Sequence, residues 1–303
     1  METNQVKRIL VPINFDEVSE KLLKYAGHLA KALDAEVLLV HATQSTDLTF
    51  TQQNRLIQAL RTFGERVLLR HHETGTGFTR FECLVRPGTL RNCIKTIVQD
   101  YYVDMVVMEA CPVPEGEQQL ANHASAIMEL LSCPVLTLPL QVQFQKLNHL
   151  VFATDFTDRD VSVLKRIADF VKQVNAQLTM VQLYSAAERN ARAKIKMAMR
   201  EVQLLLEGYD VTYKLLEEED MLEGISDFAE QQEADLLILA TQDNYLMQRL
   251  FSNTYVKTQA YHTQIPLVTF RQVKSKPCSG CCDNCRSKQA AQPEFNKELV
   301  LVN

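Results

Sequence analysis

Short apolar runs and one-sided apolar helices alternate along this chain, and the alternation occurs twice. Ile9-Leu10-Val11 and Val37-Leu38-Leu39-Val40 have the length of buried strands. Between them Leu22, Leu23, Ala26, Leu29, Ala30 and Leu33 recur at the spacing of one helix face. Shifted by 141 positions, that face becomes Val163, Leu164, Ile167, Phe170, Val171 and Val174, all still apolar, and the flanking runs become Leu150-Val151-Phe152 and Leu178-Thr179-Met180-Val181. A strand, an amphipathic helix and a second strand make a βαβ unit, so each half opens with one.

The later part of each half also corresponds, at an offset of 131 or 132. Val103 to Met108 pairs with Ala234 to Leu239, and Cys133 to Leu138 pairs with Ile265 to Phe270. Such near-continuous apolar strands suit a parallel sheet whose two faces are both covered by helices. The pattern therefore predicts an α/β chain of two tandem doubly wound domains, each with a five-stranded parallel sheet flanked by helices. The first is expected over residues 1–140 and the second over 141–272, with a Cys-rich C-terminal extension at 273–303.

Composition narrows the setting. A length of 303 residues gives each half enough chain for its own core, and a net charge of -5 without a basic, aromatic-interleaved stripe argues against a nucleic acid as ligand. The first residues lack a signal-peptide pattern, and no apolar run approaches the roughly 18 residues of a membrane span. A soluble cytoplasmic protein is expected, with neither membrane nor nucleic acid as partner. Of the eight cysteines, Cys83, Cys93, Cys111 and Cys133 stand singly in strand or helix patterns of the first half. They fit reduced thiols used as small core residues.

Lys7 to Phe15 and Leu150 to Thr157 resemble the first strand and turn of universal stress protein domains, and Val40-His41 with Cys133-Pro134-Val135 extends the likeness. The resemblance covers nearly all of residues 7–270. Nucleotide-binding members of that family carry Gly-x2-Gly-x9-Gly-Ser/Thr after the fourth strand, where backbone N–H groups approach phosphate oxygens. The chain has nine glycines, none at these positions. Glu109, Pro112 and about Ala121-Asn122 stand there in the first half, and Ala240, Asp243 and Asn253-Thr254 in the second. A carboxylate beside a triphosphate repels it, and Pro112 removes a donor. ATP binding in the family's manner is therefore unexpected in the first half and disfavoured in the second. Asp155, with Asp243, Asn253 and Thr254, could be the remnant of a nucleotide site in the second half. The competing reading makes Asp155 a cap of the next helix, with Thr157 or Asp158 as rival caps, and Thr254 an ordinary helix residue.

The extension holds Cys278, Cys281, Cys282 and Cys285, a density no core pattern produces. Two overlapping Cys-x2-Cys pairs offer thiolates to zinc or another soft metal, and Lys274, Lys276, Arg286 and Lys288 favour the thiolate form. A metal site, a thiol redox switch and a tail without a defined role all stay open. Glu298 to Val302 forms a short apolar run that reads either as a strand added to a sheet edge or as a frayed terminus.

Other candidates are weaker. Arg70-His71-His72-Glu73 reads as the solvated end of a helix, and a helix over 188–207 presents an alternating charged face. There is no Gly-x-Ser-x-Gly elbow, no Gly-Lys-Ser/Thr loop and no His-Glu-x-x-His, so no catalytic constellation is visible. The resemblance implies a stress-response binding or regulatory protein rather than an enzyme. It also implies pairing of domains within the chain, and of two chains, through Val135 to Leu138 and Val268 to Phe270.

Overall fold

A computed structural model describes residues 6–43, 45–69, 79–109, 124–139, 142–157, 159–241 and 265–272. The first half runs β1 (Arg8–Pro12), α1 (Glu17–Leu33), β2 (Glu36–Ala42), α2 (Phe50–Leu69), β3 (Phe81–Arg86), α3 (Leu90–Asp100), β4 (Met105–Glu109), α4 (Ala124–Leu130) and β5 (Val135–Leu138). The second runs β6 (His149–Ala153), α5 (Val161–Gln173), β7 (Gln177–Tyr184), α6 (Arg192–Leu205), β8 (Val211–Glu217), α7 (Met221–Gln231), β9 (Leu236–Thr241) and β10 (Leu267–Arg271).

The strands form one sheet in the order β3-β2-β1-β4-β5-β10-β9-β6-β7-β8. Each half is parallel within itself, and the two meet where β5 and β10 pair antiparallel, with Val268 opposite Leu136. Two threonines tie this junction. Thr137 Oγ1 donates to Leu267 O at 3.1 Å, and Thr269 Oγ1 donates to Val135 O at 3.3 Å. Both hydroxyls are buried, and each finds a carbonyl on the opposite half, as a buried donor must.

Alternation along the strands sends apolar side chains to both faces. Ile9, Val11, Val37, Leu39, Leu150, Phe152, Leu236 and Ile238 join one core under α1, α2, α5 and α6, which continues across both halves. Leu10, Leu38, Val106 and Val135 face α3 and α4, and Val151, Val181, Leu237 and Leu267 face α7. The helix faces expected from the sequence, Leu22 to Leu33 and Val163 to Val174, are all buried there. The charged helix starts later than expected: residues 186–191 form a 3-10 turn, begun by a capping box of Ser185 and Glu188, and α6 opens only at Arg192.

A side-chain clasp joins the halves at the amino-terminal end of β1. The Gln173 amide donates to Val6 O at 3.0 Å and Leu33 O at 2.8 Å, while its oxygen accepts from Val6 N at 3.0 Å.

Candidate functional site

In doubly wound sheets ligands bind outside the carboxyl ends of the strands where the strand order reverses. Here those points lie between β1 and β4 and between β6 and β9. The turns that leave β1 and β6 build the two crevices, and they have diverged.

In the first half Asp16 caps α1 by accepting from Ser19 N at 2.7 Å, and Ser19 Oγ accepts from Asn14 N at 2.8 Å. Phe15, held between these bonds, has a left-handed φ of 63°. For a bulky residue that conformation costs roughly 1–2 kcal/mol. The other left-handed non-glycine residues fall into corresponding pairs: Asp34 and Asn175 at 49° and 55°, Tyr102 and Glu233 at 50° and 49°. Among the described residues Phe15 has no left-handed counterpart.

Aromatic contacts offset the strain. The Phe15 ring lies 4.7 Å from the His41 ring and 5.8 Å from that of Phe63, centroid to centroid. Such pairs contribute about 0.5–1.5 kcal/mol each beyond area burial. His41 is fixed in turn by Nδ1 at 2.7 Å from Ile13 O, and a proton on that nitrogen donates to the carbonyl. Arg66 lies over the outer side of Phe63, 5.2 Å from its centroid. The end of β1 is thus flanked by the chain's own rings, one tilted and one edge-on to Phe15.

Glu109 ends β4 on the other side of this crevice. Burial raises its pKa above the ordinary carboxylate range, the negative charge of Asp16 adds to the effect, and Lys21 opposes it. Both carboxylates make the crevice unwelcoming to a phosphate.

The second half replaces His41 by Gln182 at the corresponding position, and the turn reverses its logic. Gln182 Oε1 accepts from Phe156 N at 2.8 Å and its amide donates to Asp155 Oδ1 at 3.1 Å. Phe156 is drawn wholly inside, beside Tyr213. Asp155 is exposed, and its Oδ1 also accepts from Thr157 N and Thr157 Oγ1, both at 2.8 Å. The two turns thus differ together with the residue on the second strand: beside His41 the phenylalanine turns out, and beside Gln182 it turns in with a carboxylate at the crevice.

Asp155 does not cap α5. The cap is Asp160, whose Oδ1 accepts from Ser162 N at 2.8 Å and Val163 N at 3.4 Å. The reading of Asp155 as a helix cap is corrected accordingly: the chain makes a local Asx turn at Asp155 and starts the helix only after it. Asp243, Asn253 and Thr254 lie outside the described residues, as do Pro112 and residues 121–122, so Asp155 is the described member of the expected nucleotide set. Cys278, Cys281, Cys282 and Cys285 also lie outside. Among the described residues no group of three or more His, Cys, Asp or Glu is arranged to hold a metal ion, and none of the described helices is long and apolar enough to cross a membrane. Cys83 and Cys133 have thiols pushed up by burial to about 11 and about 12, so they are poor nucleophiles at neutral pH.

The strand order and the paired crevices define a doubly wound α/β binding fold. Residues 5–139 match the model of the Universal stress protein family. Solved structures share the fold over both halves. A universal stress protein from Archaeoglobus fulgidus DSM 4304 is 16% identical, with a TM-score of 0.59 over 90% of this chain and 100% of its own. A functionally unknown protein from Pseudomonas aeruginosa PAO1 is 14% identical, with a TM-score of 0.55 over 89% of this chain and 94% of its own. A putative universal stress protein from Pseudomonas aeruginosa UCBPP-PA14 is 15% identical, with a TM-score of 0.52 over 89% and 95%. No curated protein matches the sequence.

Proposed function

We propose that this chain is a cytoplasmic stress-response binding or regulatory protein of the tandem universal stress protein type, with units over 1–140 and 141–272, acting without nucleotide turnover. The observation that carries the reading is the Phe15, His41 and Phe63 cluster, which sets the chain's own rings at the carboxyl end of β1, held by a backbone hydrogen bond and ring contacts. Glu109 adds a carboxylate where a phosphate-binding relative needs a close backbone approach. The first half thus serves as a scaffold, and signalling would pass through partner surfaces.

A second reading has one specific support. Asp155 is exposed at the second crevice and positioned by three donors, all on Oδ1, which leaves Oδ2 for a ligand hydroxyl or amine. On this reading the second half alone is a nucleotide-responsive switch. Both final strands are already paired on each edge within the chain, so the association of two chains that the family implies would use surfaces other than the edges of β5 and β10. Zinc or redox chemistry at Cys278, Cys281, Cys282 and Cys285 is a separate possibility carried by their spacing.

Native mass spectrometry of the full chain with MgATP separates the readings. The binding-protein reading predicts no nucleotide adduct. One adduct per chain that disappears in Asp155→Ala would establish the switch, and two adducts would overturn the claim that the first crevice is closed. A zinc-sized increment lost on deleting residues 278–285 would assign the metal.

A further inference from the structure

At the amino-terminal ends of β1, β2 and β3, opposite the first crevice, a cavity of about 350 Å³ lies on the seam between the halves. Val6, Lys7, Leu33, Asp34, Glu36, Arg80 and Gln173 line it. Val6 and Leu33 are buried and give it an apolar floor, while the Gln173 clasp closes one side with all its polar atoms bonded. A volume of this size is at the lower end of small-molecule sites.

Charged side chains of both signs line its rim. Glu36 is answered by the Arg8 guanidinium. The side chains of Lys7, Arg80 and Asp34 make no hydrogen bond or ion pair among the described residues. Two solvent-exposed cations and one exposed carboxylate therefore rim one apolar-floored space.

The second half shows that the fold does not need these charges. Its corresponding positions are Asn148 for Lys7, Asn175 for Asp34 and Gln177 for Glu36. Arg80 O accepts from Val37 N, and Asp210 O accepts from Leu178 N in the same place, so Arg80 is replaced by an acid. Asn175 keeps the left-handed conformation of Asp34, φ 55° against 49°, so conformation does not require an aspartate.

We propose that this cavity binds a small zwitterion, between an amino acid and a dipeptide in size. Its carboxylate lies between Lys7 and Arg80, its ammonium lies on Asp34, and its middle rests on Val6 and Leu33. A dianion would meet Asp34 and a dication would meet the two bases, so the mixture of charges selects a ligand bearing both signs. Because Val6 and Leu33 belong to the first half and Gln173 to the second, occupancy would also tighten the seam.

Calorimetric titration of the full chain with glycylglycine tests this, with N-acetylglycylglycinamide as the uncharged control. Expected is saturable binding of one glycylglycine per chain, none of the control, and at least tenfold weakening in both Lys7→Asn and Asp34→Asn. Both replacements are residues the second half already carries in the same setting, so folding is retained. Asp155→Ala should bind as wild type. The proposal is overturned by the absence of saturable glycylglycine binding, by equal binding of the control, or by undiminished binding in the two asparagine variants.

Discussion

Phe15 shows how one residue can carry the difference between two similar halves. Its left-handed backbone is a cost and its ring contacts are the offset, so the two should separate under substitution. Phe15→Gly removes the ring but relieves the backbone, whereas Phe15→Ala removes the ring and keeps the strain. Urea unfolding should find the glycine variant more stable than the alanine variant by about 1 kcal/mol. Equal stabilities would remove the strain argument. Glu109 gives a pH signature. A carboxyl whose pKa is raised in the folded state holds more protons there than in the unfolded chain, so its contribution turns unfavourable as pH rises through the ordinary carboxylate range towards the raised value. Glu109→Gln should therefore melt above wild type at neutral pH, with the difference closing on acidification below that range. A constant difference across pH would contradict the assignment. The alignment of Asn14-Phe15 with Asp155-Phe156 was legible in the sequence, but the opposite fates of the two rings were not. They depend on His41 and Gln182, which reach the turn from a neighbouring strand and leave no local pattern.

At the scale of elements, five strands were expected in each half, of which the apolar periodicity placed four and left β3 and β8 unplaced. These are the two edges of the sheet, where Val211–Glu217 mixes partly buried and exposed positions and Phe81–Arg86 buries only Leu84 and Val85, so neither forms a long apolar run. Helix starts were also blurred, because several oxygen-bearing side chains compete within a few residues. Asp160→Ala should cost about 1 kcal/mol in thermal or denaturant unfolding through the lost cap of α5. Asp155→Ala should cost less, since its bonds organise a turn and no helix terminus. The reverse order would restore Asp155 as the cap. Close packing of elements marks Gly64 in α2, where an added Cβ would lie 2.7 Å from Leu39 Cδ1 and 2.8 Å from Phe81 Cε2. Gly64→Ala should destabilise by roughly 1–3 kcal/mol and loosen α2 from β3, which hydrogen exchange along β3 would register.

For the whole molecule, the continuous sheet makes the two halves one mechanical unit, joined at β5 and β10, through the shared core and by the Gln173 clasp. That joining was expected from resemblance and not from any spacing in the chain, because strand partners separated by about 130 residues leave no periodic signal. The consequence for function is that the two crevices, at carboxyl strand ends, point in opposite senses along the sheet, and the seam cavity lies at the amino end of β1, away from the first crevice. The central claim is that the protein's own rings at the end of β1 keep a nucleotide out of the first crevice. Proton NMR of the His41 ring, assigned by its loss in His41→Gln, addresses it directly, since the Phe15 ring current acts on those protons at 4.7 Å centroid separation. The account predicts ring-current-shifted His41 resonances that do not move when MgATP is added. A saturable shift of those resonances on adding MgATP would show that the crevice opens and takes the nucleotide, and would contradict it.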